Sequence, residues 1–104
     1  MVWMEDLIRK LRKGDKLKII APANGHITND SKLNKRMCTV HAKAELEIVR
    51  IDSEHIVAKC DSDFIQPKVK KRKAGTVTVN IPMINLWKAL SPDEKKRLRY
   101  GLRQ

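Results

Sequence analysis

Aromatic residues are scarce in this chain of 104 residues: two Trp, one Tyr and one Phe make up 4% of it. Trp3, Phe64 and Trp87 lie in apolar patterns that assign them to the core, which leaves few rings to stack on unpaired bases. An apolar run of about 18 residues or more is also missing, so the sequence predicts no transmembrane helix and no membrane partner.

Cysteine and export signals are equally limited. There are two cysteines, and residues 1–6 lack the basic start, apolar stretch and small-residue cleavage site of a signal peptide. Two cysteines without an export signal favour a reducing compartment, in which thiols stay free. We therefore expect a cytoplasmic protein, organised as one domain over residues 1–104.

Acidic residues are outnumbered: 12 Asp and Glu stand against 23 Lys and Arg, for a formal net charge of +11. Ten basic and four acidic residues give residues 1–43 a charge of +6, and eleven and two give residues 67–104 a charge of +9. Residues 44–66 carry two basic and six acidic residues, a charge of −4. A polyanionic partner is the usual reason for a small protein to carry such self-repulsion. The acidic centre either pairs with the ends or marks a face that avoids the polyanion.

Helical periodicity is found near both ends of the chain. Over residues 3–13, apolar side chains recur on one face from Trp3 to Leu11, and Gly14 is a natural stop. Residues 83–90 predict a short helical turn. The tetrapeptide Ser-Pro-Asp-Glu at residues 91–94 is a capping box, which predicts the start of a C-terminal helix.

The clearest strand covers residues 37–51, where apolar and polar residues alternate from Cys38 to Ile48. After Ile48 the alternation shifts, which predicts a β-bulge or a strong bend. Residues 55–60 are predicted to return as the partner strand of a hairpin.

Shorter strands are predicted at residues 16–21 and 76–81, and Pro82 ends the second of them. The dipeptide Asn24-Gly25 is typical of a tight hairpin turn. Together these elements predict an α+β fold. It is a small curved antiparallel sheet or half-open SH3-like barrel of about four to five strands, with an amphipathic helix at each terminus.

Two cysteine–histidine pairs, Cys38-x-x-His41 and His55-x4-Cys60, have spacings that suggest zinc. Strand alternation, however, places each cysteine and its histidine on opposite faces, so buried structural cysteines explain the pattern better. Asp61-Ser62-Asp63 fit solvated turn residues better than Mg²⁺ ligands. Motifs for nucleophilic catalysis, a phosphate cradle or dinucleotide binding are missing from the sequence. We therefore predict no catalytic residue, no metal and no cofactor.

Two cationic features make up the predicted site: the segment from residue 68 to residue 73, and a basic stripe on the C-terminal helix. The residues are Lys68, Lys70, Lys71, Arg72, Lys73, Lys95, Lys96, Arg99 and Arg103. They predict a non-enzymatic nucleic-acid-binding module that contacts the phosphate backbone of duplex DNA or structured RNA.

The same charges allow an alternative. A small regulatory factor of the phage or plasmid type could dock on an acidic host protein, with Trp3 or Trp87 as an exposed anchor. The oligomeric state is open at this stage, because an exposed edge strand can pair two copies. We expect a monomer or a weak homodimer.

Overall fold

The computed structural model describes residues 8–28, 36–66 and 75–100, which form an α+β fold. Its open sheet has seven antiparallel strands. The strands are β1 (Lys16–Lys18), β2 (Ala23–Ile27), β3 (Arg36–Val40), β4 (Glu45–Ile51), β5 (His55–Asp61), β6 (Ile65–Gln66) and β7 (Thr76–Pro82). A 3-10 turn (Ser62–Phe64) joins β5 to β6, and two helices follow β7: α1 (Met83–Ala89) and α2 (Pro92–Tyr100).

The order of the strands across the sheet is β1-β4-β5-β7-β2-β3-β6. Strands β1 and β2 lie four positions apart in this order, and the chain connects them between Ile19 and Ala23. Strands β3 and β4 also lie four positions apart, and the chain connects them between Val40 and Glu45. In a flat sheet four positions cover about 19 Å. The four-residue step from Ile19 to Ala23 reaches at most about 14 Å. The sheet therefore curls, and strands that are far apart in its order approach one another.

The inner face of the curled sheet forms the core. Along β2 and β7, buried apolar residues alternate with exposed or half-buried polar ones, so each strand turns one side inward. The largest fully buried side chains are Ile8, Ile19, Ile27, Leu46, Ile48, Ile56, Ile65, Ile81, Leu86, Leu90, Val40 and Val79. Each such aliphatic side chain contributes about 1.5–3 kcal/mol by leaving water.

The prediction of one continuous strand over residues 37–51 is wrong, because the chain turns between β3 and β4. Lys43 has a φ of 76°, in the left-handed region, and the Ala44 N–H donates to the His41 carbonyl at 3.3 Å. Val40 and Ala44 are both buried, so the alternation passes through the turn unchanged. This break adds one strand, and β2 and β6, which lie outside the predicted strands, bring the total to seven instead of the predicted four to five.

The end of the same segment behaves as predicted. The pairing of β4 with β5 shifts in register between Ile48 and Arg50, which confirms the bulge. Residues 55–60 fall within β5 and pair with β4, which confirms the hairpin. The bulge adds to the bend of β4 and so helps the sheet to curl.

The hairpin turn predicted at Asn24-Gly25 is wrong, because both residues lie inside β2, with Gly25 opposite Cys38 in β3. A Cβ atom on Gly25 would lie 2.4 Å from the backbone oxygen of Asn80 in β7. Only glycine fits where a neighbouring backbone comes this near. The glycine therefore marks the close approach of β2 and β7, and not a turn.

Helices α1 and α2 confirm the predictions at residues 83–90 and at the capping box. The Ser91 hydroxyl accepts the Glu94 N–H at 3.1 Å, which caps the start of α2. The Glu94 carboxylate is buried and accepts the Lys18 N–H at 3.3 Å and the Arg97 guanidinium at 2.6 Å. Because Ile19 N–H donates towards β4, the N–H of its neighbour Lys18 lies on the outer edge of the sheet. Helix α2 thus closes the edge of β1 with a carboxylate.

The helix predicted over residues 3–13 lies partly outside the described residues, which begin at residue 8. Within them Ile8 is helical, residues 9–10 form a turn and Leu11 is no longer helical, so the predicted extent to residue 13 is wrong. The Arg12 N–H donates to the Asp15 carboxylate at 2.8 Å, a local bond that competes with the helix. Among the described residues, none of the helices has the length and apolar character to cross a bilayer.

The contact of Gly25 with β7 leads to a first prediction. We expect Gly25→Ala to lower the free energy of unfolding by about 1–3 kcal/mol or more, because the backbone of β7 has to move. Gly75→Ala is the control, since its Cβ meets nothing within 4 Å and only its φ of 64° is unfavourable. Urea unfolding of both variants measures the difference, and a Gly25→Ala variant no less stable than Gly75→Ala would contradict the close approach.

The carboxylate at the β1 edge leads to a second prediction. We expect Glu94→Ala to cost about 1–3 kcal/mol of stability, because the Lys18 N–H loses its charged acceptor. Asp93→Ala is the matched control: it removes the same charge from the same helical turn at an exposed position. Equal losses of stability for the two variants in thermal unfolding would show that the bond to β1 contributes nothing.

Candidate nucleic-acid interface

The outer face of β1, β4 and β5 is densely charged with both signs, and we call it the charged half. Register places Lys16 opposite Glu47, Lys18 opposite Glu45, and Glu47 opposite Lys59. All five are exposed. Opposite charges on facing strands stabilise a sheet by about 0.2–1 kcal/mol per pair. The cations of this half are therefore balanced by neighbouring carboxylates and offer little net charge to a polyanion.

A groove of about 350 Å³ opens on the charged half. Its lining includes Lys16, Glu45, Lys59, Asp61 and Phe64. Asp61 also precedes the 3-10 turn, and its carboxylate accepts the Asp63 N–H at 2.8 Å. Asp61 therefore caps the turn, which agrees with the sequence-based interpretation of residues 61–63 as turn residues.

The outer face of β2, β3, β6 and β7 differs sharply, and we call it the polar half. Apart from Arg36 at the start of β3, the exposed and half-buried residues of these strands include no Lys, Arg, Asp or Glu, and six of them lie in two rows aligned by register. The first row is Asn80, His26 and Met37, and the second is Asn24, Thr39 and Gln66. All six are exposed or half-buried, and Met37 is 62% exposed. Among the described residues, no Asp or Glu belongs to these four strands, although Asp61 of β5 lies opposite Thr76 of β7 at the border of this half.

A hydrogen bond orders the second row of the polar half. The Thr39 hydroxyl donates to the Asn24 side-chain oxygen at 2.7 Å. The Asn24 backbone carbonyl in turn accepts the Asn85 amide of α1 at 3.1 Å. Because the first bond uses the amide oxygen of Asn24, its amide nitrogen remains a hydrogen-bond donor at an exposed position. The side chains of Thr39 and Asn24 are therefore held in place before any ligand arrives.

The described residues on either side of the cationic segment of the predicted site belong to, or adjoin, β6 and β7, the two outer strands of the polar half. Lys68, Lys70, Lys71, Arg72 and Lys73 lie outside the described residues, as does Arg103. The chain reaches residues 67–74 from Gln66, at the end of β6, and leaves them at Gly75, just before β7. Because neighbouring strands are antiparallel, β6 and β2 end where β3 and β7 begin, all at one end of the polar half.

The rest of the predicted site lies on α2, where the structure places its three cations differently. Lys95 is half-buried, and its ammonium group lies 5.1 Å from the centre of the Trp87 ring, in a cation–π contact. Lys96 and Arg99 are exposed, three positions apart on the helix. Lys95 thus has a structural contact, whereas Lys96 and Arg99 are available to a ligand. Trp87 is 8% exposed and so does not serve as the protruding anchor considered for a protein partner.

Sequence reasoning missed the polar half. Its residues come from four strands that are not consecutive in the chain, and Asn24 was assigned to a turn. Arg36, an exposed cation at the start of β3, was missed for the same reason. The available signal was the lack of acidic residues in the sequences of β2, β3, β6 and β7, but it has meaning only once these strands are known to be neighbours.

Comparison with protein-family models, with curated proteins and with solved structures returned no match. The function must therefore be argued from the surface of this chain. Two features carry that argument: the lack of carboxylates on the described strands of the polar half, and the exposed cations Lys96 and Arg99 on α2.

Cys38 and Cys60 are both buried and free, as the alternation of their strands predicts. Burial raises the pKa of the Cys38 thiol. The pKa of the Cys60 thiol is raised to about 12, mainly by burial and in addition by the nearby Cys38 and Asp61. Among the described residues, a cluster of three or more His, Cys, Asp or Glu side chains able to hold a metal ion is not found. Both thiols stay protonated at neutral pH and pack as small apolar groups.

The raised pKa of Cys60 leads to a third prediction. An unfolded cysteine ionises near pH 9.0, whereas folded Cys60 keeps its proton to about 12. The stabilisation from the neutral thiol is fully present below pH 9 and is lost as the pH rises towards 12. We expect the stability advantage of the wild type over Cys60→Ala, measured by urea unfolding from pH 8 to pH 11, to shrink above pH 9. The titration of lysines is common to both proteins and cancels, so an advantage that stays constant would contradict the assignment.

Proposed function

We propose that the protein is a non-enzymatic nucleic-acid-binding module that acts in the cytoplasm. Its cationic contacts to phosphate are Lys68, Lys70, Lys71, Arg72, Lys73, Lys96, Arg99 and Arg103, with Lys95 steadied against Trp87. The observation that carries the proposal is the separation of charge on the outer face of the sheet: acidic residues are confined to one half of it. A polyanion approaching the polar half meets no described carboxylate on its strands.

The curvature of the sheet supports the proposal that the fold is a half-open SH3-like barrel. Two short connections bring strands from opposite parts of the sheet order together, as they do in a half-open SH3-like barrel. In such a barrel the polar half is one outer wall. The ends of β2 and β6 and the starts of β3 and β7 lie at one end of that wall. The sequence between β2 and β3 includes Lys32 and Lys35, and the sequence between β6 and β7 includes the cations of residues 68–73.

An acidic protein is the second candidate partner. The exposed Met37 favours it, because methionine is enriched at the surfaces through which proteins contact one another. The lack of carboxylates on the strands of the polar half favours an acidic protein as much as a nucleic acid. The two candidate partners differ in the salt dependence of binding, because only for a nucleic acid does this dependence report the number of phosphates contacted.

A salt titration forms the fourth prediction. Binding to a random duplex DNA and to a structured RNA should weaken linearly in log–log form as salt increases, with a slope of about 0.9 per phosphate contact on duplex DNA. Lys71→Gln/Arg72→Gln should reduce that slope by about two, since two cations that release counterions are gone. Lys96→Gln/Arg99→Gln should have a similar effect.

The matched control is Lys16→Gln/Lys59→Gln, which removes two cations from the charged half. It lowers the net charge equally but should leave the slope unchanged, because these lysines lie opposite carboxylates. An equal effect of all three double variants would mean that only the total charge matters. Absence of binding to either nucleic acid at low salt would overturn the proposed function, and salt-sensitive binding to a single acidic protein would then support the second candidate.

A further inference from the structure

We infer that the polar half contacts unpaired bases, so that the ligand is a single-stranded stretch of nucleic acid. This inference rests on the proposed function and narrows it from nucleic acid in general to unpaired strands. An unpaired strand differs from the duplex DNA or structured RNA expected from the sequence, because the sequence alone does not reveal that the strands of the polar half are neighbours.

The chemistry of the two rows fits base edges and does not fit phosphates. Phosphate contacts are made best by cations, and neither row has a lysine or an arginine. The side chains of Asn24, Gln66 and Asn80 each carry a donor and an acceptor in one plane, as the edges of bases do. Thr39 and His26 add further polar groups. A strand crossing this surface would therefore turn its bases towards the sheet and its phosphates towards solvent.

Met37 supplies the apolar contact that the surface otherwise lacks. It is 62% exposed and lies opposite His26, in the row that ends at Asn80. A thioether sulfur packs favourably against aromatic rings, and a nucleobase presents such a ring. Met37 and His26 thus take the place of the aromatic side chains that usually stack on unpaired bases.

The shape of the surface favours unpaired strands over duplexes. The polar half is the outside of a curled sheet and is four strands wide. In a duplex, base edges lie at the bottom of grooves that admit an α-helix or a two-stranded ribbon, which is narrower than this surface. Asn, Thr and Gln side chains are too short to span the difference. The two rows are about 7 Å apart along the strands, because two residues separate them, so each can face a different base.

The test uses a mixed-sequence single-stranded 12-mer, as RNA and as DNA, and the same sequences annealed to their complements. We expect the wild type to bind each single strand about tenfold more tightly than its duplex at equal salt. Met37→Glu should weaken single-strand binding about tenfold, since it places a carboxylate among the bases. Ser53→Glu is the control: it adds the same charge at an exposed turn between β4 and β5, and its effect should be less than about twofold, because exposed charges far from a ligand are screened.

A second measurement separates base contacts from phosphate contacts. His26→Ala should lower affinity about fivefold without changing the salt slope, because base contacts release no counterions. Chemical-shift mapping on the wild-type protein serves if a variant fails to fold. The 12-mer should perturb the amides of Asn24, His26 and Thr39 and leave those of Glu45 and Glu47 unchanged.

The outcomes are distinguishable. If single strands and duplexes bind equally, or if the shifts map to the charged half, the inference about unpaired bases is overturned and the proposed function stands. If Met37→Glu and Ser53→Glu weaken binding equally, the polar half is not the contact surface. If no oligonucleotide binds even at low salt, the proposed function fails with it.

Discussion

The curl of the sheet is the constraint on which the rest of the structure depends. The links Ile19–Ala23 and Val40–Glu45 each cross four positions of the strand order, and neither is long enough for a flat sheet. Curvature brings the inner sides of the strands around one core, into which α1 adds Met83 and Leu86. The bulge in β4 and the glycine in β2 are local adjustments to this demand, one by bending a strand and the other by allowing close contact.

Curvature also decides how the charges are displayed. Once the inner face is filled with apolar side chains, polar residues are confined to the outer face, where strand order determines their neighbours. Lysines of β1 and β5 stand beside glutamates of β4, so the acidic centre of the sequence neutralises part of the basic excess. Among the described residues, the positive charge left over includes the exposed Lys96 and Arg99 on α2 and a further exposed group at residues 9–13, made up of Arg9, Lys10, Arg12 and Lys13. A strongly basic composition is thus converted into a surface with distinct regions.

Local patterns in the sequence predicted much of the fold. The shift of alternation after Ile48 identified the bulge, and Ser91 with Glu94 identified the start of α2. The turn at Lys43 was missed because Val40 and Ala44 keep the same parity, so a change of strand leaves no trace in the hydrophobic pattern. Gly25 was misassigned because Asn-Gly favours turns locally, whereas here the backbone of Asn80 requires the glycine. The polar half depends on contacts between strands distant in sequence, which no local pattern contains.

The carboxylate of Glu94 at the edge of β1 has a consequence for the solubility of the protein. An open strand edge is a template on which other chains can add, and β1 is one of the two end strands of the sheet. Here a side chain from α2, and not another strand, occupies the Lys18 N–H. Proteolytic loss of α2 would therefore uncover a docking edge for further copies and favour aggregation. By occupying this N–H, the C-terminal helix removes one of the free backbone donors through which another chain could pair with the edge of β1.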